Sequence, residues 1–215
     1  MMLINNTFKR VPADIHKKYV LFNNKGVSAQ CKLNILNGSE SSALIRGGSY
    51  RIASTRMNTN SLIDRDKARN SKSENFNILD KSGELVGTLS SRMSFPIFGY
   101  MYYEFVFSDT LYTIYKVGMG KQGLKFVVYI DDKQVGLMEK KLVEKDGRSE
   151  YEFFMMDRKS EAVSFLFLVY YDASYNVQDE VLLNTKEVTY EFTIHKGLRN
   201  KYNPRFKEQH NGKKN

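Results

Sequence analysis

Along much of this chain short runs, some with apolar and polar residues alternating and others rich in β-branched and aromatic side chains, lie between turn signals. Both features predict strands. Residues 19–22 and 31–36 are short runs of this kind. Residues 75–80 and 84–89 predict a hairpin, with Phe76 and Ile78 alternating with Asn75 and Asn77 before Lys81-Ser82-Gly83 turns the chain. Residues 100–107 (YMYYEFVF) and 111–117 (LYTIYKV) flank a turn at Ser108-Asp109-Thr110. Residues 124–130 (LKFVVYI) and 134–140 (QVGLMEK) flank Asp131-Asp132-Lys133, and 150–156 (EYEFFMM) and 187–194 (EVTYEFTI) complete the series.

One segment breaks the alternation. From Ala162 to Tyr171 the chain is apolar on every side apart from Ser164. Asp157 or Ser160 can cap a helix there, with Glu161 in the favourable first turn. A strand buried on both faces has the same signature, because period cannot separate the two in a short run. The capping residues favour a helix over about residues 160–171. A helix apolar all round must be buried all round. Enclosing it takes a tube, so the fold class expected is mostly β: a closed antiparallel β-barrel surrounding one hydrophobic helix. Closure also removes the exposed edges that so many strands would present. The chain thus reads as one barrel domain over residues 1–200. Residues 58–74 are a polar surface loop, and 201–215 form a basic, flexible tail.

Composition narrows the chemistry. The 215 residues contain one cysteine, Cys31, and three scattered histidines, His16, His195 and His210. No internal disulfide and no Cys/His zinc cluster can form, and no metal or cofactor is expected. The N-terminus lacks the basic start, apolar stretch and small-residue cleavage site of a secretory signal. The longest nearly uncharged apolar run, residues 162–171, falls far short of the ~18–20 residues that cross a bilayer. A cytoplasmic protein, at most peripheral to a membrane, is the expectation.

The net charge of +9 hides an asymmetry. Residues 1–73 carry 13 basic and 4 acidic side chains, residues 74–192 carry 13 and 19, and residues 193–215 carry 7 and 1. The middle is slightly acidic and both ends are basic, which points to an anionic partner: membrane lipid, nucleic acid or an acidic protein.

The order of hairpins followed by a buried helix resembles the tubby C-terminal-like fold shared with LURP-one-related proteins and phospholipid scramblases. The resemblance runs from about residue 75 to residue 172. Asp80-Lys81-Ser82-Gly83 is similar to that family's D-x-x-G turn, and the stretch from Phe126 to Gly136 and the apolar helix also match in pattern. The resemblance implies a barrel around a hydrophobic helix. It also implies a binding protein and not an enzyme, since tubby proteins attach to phosphoinositides through basic surface residues.

Motifs for catalysis are weak. Gly118-Met119-Gly120-Lys121-Gln122-Gly123 spells G-x-G-x-x-G, but a dinucleotide cradle must open a helix and a strand pattern follows here. A glycine-rich hairpin turn is the better reading. Cys31 lies in an apolar alternating run, as a small core residue would. Asp131-Asp132 suits a hairpin tip, and Asp64-Arg65-Asp66 interleaves acids and bases as a solvated loop does. The sharper candidates are cations. Arg46, Arg51 and Arg56 are spaced five apart around Gly47-Gly48-Ser49-Tyr50. Lys196, Arg199, Lys201, Arg205 and Lys207 are interleaved with Leu198, Tyr202 and Phe206, one helical face that Pro204 would interrupt. Cations beside aromatics suit an anionic bilayer, where each contributes ~1 kcal/mol. They also suit single-stranded nucleic acid. In a third reading the aromatics dock the tail onto the barrel and the charged heads only solvate it.

Overall fold

The computed structural model describes residues 3–11, 16–34, 40–45, 48–54, 75–95, 99–141, 150–175 and 190–210. Twelve strands carry the fold: β1 (Ile4–Val11), β2 (His16–Asn23), β3 (Gly26–Asn34), β4 (Glu40–Ile45), β5 (Gly48–Ser54), β6 (Asn75–Leu79), β7 (Leu85–Met93), β8 (Met101–Phe107), β9 (Thr110–Gly118), β10 (Leu124–Ile130), β11 (Lys133–Lys140) and β12 (Glu150–Met155). Each pairs antiparallel with the next, and β1 also pairs with β12, from Ile4 opposite Met155 to Lys9 opposite Glu150. The meander therefore closes into a barrel, as the pattern of hairpins predicts.

Short turns set the register. Between β8 and β9, Ser108 and Asp109 both take positive φ, 47° and 60°, the twist that a two-residue hairpin requires. Between β6 and β7 the Asp80 carboxylate accepts from the amide and hydroxyl of Ser82 (2.8 and 2.6 Å) and from the amide of Glu84 (3.0 Å). Gly83 follows at φ 90°, a conformation that suits glycine. The G-x-G-x-x-G stretch is the β9–β10 connection, with a 3-10 turn at Gly120–Gln122, and a strand follows it instead of a helix.

Alternation sorts the wall into two faces. On β8, Tyr103, Phe105 and Phe107 point inward and are buried, whereas Tyr102, Glu104 and Val106 point outward. Cys31 lies inward on β3 between Tyr19 and Ala43, at 1% exposure. Arg51, Arg92 and Glu104 are on the outer face. A membrane-spanning barrel has the reverse order, an apolar band outside and a polar lumen. Among the described residues no helix is long and apolar enough to cross a membrane.

The interior is filled by α1 (Arg158–Tyr175), longer at both ends than the 160–171 read from the sequence. Asp157 is its N-cap, accepting from the Ser160 amide (2.8 Å) and hydroxyl (2.9 Å). Every residue from Ser160 to Asp172 is buried. The helix meets the wall on several sides: Phe165 packs on Phe8 of β1, Tyr170 on Phe76 of β6, Phe167 on Tyr103 of β8, and Tyr171 on Phe126 of β10. Its polar residues are anchored as well. Glu161 accepts from Asn6 Nδ2 (2.5 Å) near the N-terminal end, and Asp172 accepts from the Tyr19 hydroxyl (2.8 Å) further along.

Candidate anionic-surface site

After α1 the chain returns at residue 190 to the end of the barrel where β9 turns into β10. The Gly120 amide donates to the Glu191 carbonyl, and the Thr193 amide donates to the Gly118 carbonyl, both at 2.9 Å. These bonds make a single bridge between Met119 and Phe192 in place of the strand expected over residues 187–194, of which 187–189 lie outside the described residues. The Gly118 amide also donates to Thr193 Oγ1 at 2.8 Å.

From His195 the chain crosses the rim and lies along the outer wall. His195 packs edge-on against Tyr100 and accepts, through Nδ1, from the Leu198 amide, starting α2 (Lys196–Arg199). Pro204 interrupts the helical face as the sequence requires, and Asn203 starts the next turn by accepting from the Arg205 amide at 2.9 Å. α3 (Phe206–His210) follows. Leu198 and Phe206 are buried, at 7% and 1% exposure, and Tyr202 is half-buried. Residues 201–208, read from the sequence as the start of a flexible tail, are thus docked in the structure.

The cations divide accordingly. Lys201 Nζ stands 4.9 Å over the Tyr115 ring and 5.7 Å over Tyr129, whose hydroxyl donates to the Lys201 carbonyl at 2.8 Å. Lys207 Nζ is 4.7 Å over Phe154 and 2.8 Å from Glu139 Oε2, while Lys125 reaches Glu139 Oε1 at 3.0 Å. Burial alone would push the Glu139 carboxyl up, but the hydrogen bonds and charges of Lys207 and Lys125 outweigh it and hold the group below the ordinary glutamate value. Burial would lower Lys207, and the bond to Glu139 more than offsets this and raises it. Lys201 and Lys207 therefore fasten the segment to the barrel. Lys196, Arg199 and Arg205 are exposed, and none pairs with a carboxylate among the described residues.

Of the other basic cluster only Arg51 is among the described residues. Arg46 and Arg56 lie outside the described residues, and Arg51 is exposed on the outer face of β5, well around the barrel from the β9–β12 wall. Three further residues belong to the rim although the sequence reading passed over them. Lys121 is exposed in the β9–β10 turn. Phe192 and Ile194 are 72% and 94% exposed. The signal for Phe192 and Ile194 was their place in the run 187–194, which suggested a paired strand, and Lys121 lay within the glycine-rich turn.

At the same end a small cleft of about 200 Å³ is lined by Met101, Tyr103, Lys116, Glu191, Phe192 and Leu198, among others. Lys116 points inward on β9 and pairs with Glu191 at 2.6 Å, 5.3 Å over the Tyr171 ring. Burial lowers its pKa, and the interactions with Tyr171 and Glu191 outweigh that and leave it raised. Among the described residues no three His, Cys, Asp or Glu side chains come together to hold a metal ion. No protein-family model, curated protein or solved structure matches this chain.

Proposed function

We propose that this protein is a non-enzymatic binding module of the tubby C-terminal-like kind that associates with anionic membrane surfaces through its C-terminal basic segment. The observation that carries the reading is the split among the cations. Lys201 and Lys207 hold the segment against the wall, and among the described residues Lys196, Arg199 and Arg205 are exposed without carboxylate partners. Cations fixed on a rigid scaffold lose little conformational freedom when they meet headgroups. A closed barrel around an apolar helix is also the architecture that the family resemblance implies. The packed interior favours surface binding over an internal ligand, because Phe165, Leu166, Phe167 and Leu168 occupy the space that such a ligand would need.

Nucleic acid is the rival partner for the same cations, and the burial of Leu198 and Phe206 weakens it by removing two apolar side chains that could lie against bases. The test is co-sedimentation of the full chain with vesicles of phosphatidylcholine alone or with phosphatidylserine added, at physiological salt. Selective pelleting with the anionic vesicles, lost in a Lys196→Glu, Arg199→Glu, Arg205→Glu variant, is the expected result. No pelleting with either vesicle overturns the reading. Binding to a single-stranded oligonucleotide in place of vesicles would favour the rival.

A further inference from the structure

The segment 190–194 is amphipathic the wrong way round for a piece of barrel. Its polar residues are tied to the protein: Glu191, although its side chain is 44% exposed, pairs with Lys116, and Thr193 Oγ1 accepts from the Gly118 amide. Its apolar residues face solvent, with Tyr190 at 45%, Phe192 at 72% and Ile194 at 94% exposure. A residue as apolar as Ile194 standing almost fully in water, next to an exposed phenylalanine, is costly unless something covers both.

The neighbouring rim has the same character. Met93 and Met101 face each other across the end of the β7–β8 pair, at 53% and 42% exposure, and Phe95 is 69% exposed just beyond. Met101 and Phe192 line one cleft, so the two patches adjoin. Apart from Glu191, the charges beside them among the described residues are positive. Lys121 follows Gly120, whose Cα lies against the Phe192 ring, and Lys196 and Arg199 follow Ile194 within five residues. The one acid in the segment, Glu191, is engaged with Lys116.

The geometry points to this rim as the bilayer-inserting edge of the protein: Phe192 and Ile194, supported by Met93, Phe95 and Met101, enter the headgroup–acyl boundary while Lys121, Lys196 and Arg199 engage anionic headgroups. Apolar tips ringed by cations are complementary to an anionic interface, which offers negative charge outside and hydrocarbon a few ångströms deeper. An acidic protein surface would match the cations but would leave the tips without an apolar partner. The inference rests on the membrane reading above and adds insertion to it.

The chain has no tryptophan, so Ile194→Trp installs a single reporter at a position that packs on little. Mixing this variant with phosphatidylserine-containing vesicles should shift its emission to the blue, and lipids brominated high on the acyl chain should quench it. Phosphatidylcholine vesicles alone should do neither. Ile194→Ser and Phe192→Ser should each weaken binding about tenfold, with circular dichroism unchanged. If wild-type protein ignores anionic vesicles, the membrane reading and the insertion both fall. If it binds them but the tryptophan stays unshifted and unquenched, and Ile194→Ser binds like wild type, attachment is by charge alone and insertion is overturned. A dimer in solution that Ile194→Ser converts to a monomer would make the rim an interface between two copies of the chain and would equally overturn it.

Discussion

Two carboxylates sit on the helix inside the barrel, Glu161 and Asp172, each about 1% exposed. Buried carboxylates are tolerated only where donors meet them, and Asn6 and Tyr19 supply donors from the wall. Removing a donor leaves the acceptor buried with less compensation, which costs about 1–3 kcal/mol. Tyr19→Phe should therefore lower the free energy of unfolding by that amount, seen in a urea series as a lower midpoint with the slope unchanged. Cys31 makes a second prediction at this scale. Burial pushes its thiol up to about 12, so the thiolate that reacts with disulfide reagents is scarce at pH 8 as well as inaccessible. The folded protein should give no rapid reaction with a thiol-exchange reagent, and one equivalent should react in denaturant. The burial of Cys31 was legible from its alternating apolar run. The role of Asn6 was not, because an asparagine at an inward position looks like a break in a strand until the helix that needs it is in place.

Among the elements, the C-terminal segment explains an anomaly in the sequence. β10 and β11 are buried on both faces along most of their length, so LKFVVYI shows no alternation. The outer face of that wall is where the 195–210 segment lies. A lysine near the start of β10 is the trace of this docking: Lys125 is buried with Glu139, which Lys207 completes from the segment. β1, β4 and β5 went unread for a different reason. Their inward positions include Asn6, Ala43 and Gly48, small or polar residues that leave the apolar pattern too sparse to see.

The latch has a pH signature. Glu139 is held below its ordinary value, so its stabilising contribution is present above the unfolded glutamate pKa of ~4.3 and is lost as pH falls through the folded value. Lys207 is raised, so its contribution is present below the unfolded lysine pKa of ~10.4 and is lost as pH rises through the folded one. The segment should hold between those limits and loosen in acid. Hydrogen exchange of residues 195–208 should accelerate relative to the barrel strands below about pH 4, after correction for the intrinsic rate. Glu139→Gln should bring that acceleration to neutral pH. The anchoring of residues 190–194 is tested by Gly118→Ala, whose added Cβ would stand 2.6 Å from the Glu191 carbonyl oxygen. Displacing that backbone should open the segment to limited proteolysis while the melting of the barrel changes little.

For the molecule as a whole, closure and filling depend on each other. β12 is paired on one side with β11 and on the other with β1, from nearly 150 residues earlier, and α1 enters the lumen directly after β12. The helix and wall share one aromatic core in which Phe167 touches Tyr103, Phe126 and Tyr171. Phe167→Ala should cost about 3–5 kcal/mol, the range for emptying a buried phenylalanine site, and thermal melts by circular dichroism should show it as a lower midpoint in a single transition. Deleting residues 1–11 removes one strand of twelve by length, but its consequence is larger. β2 and β12 each lose a partner, two unpaired edges appear, and the slot between them exposes Phe153, Tyr151 and the Phe165 side of the helix. Open edges over an apolar interior recruit other chains. The truncated protein should elute as soluble aggregate on size exclusion, and a monomer with native ellipticity would show that the barrel stands without its closing strand.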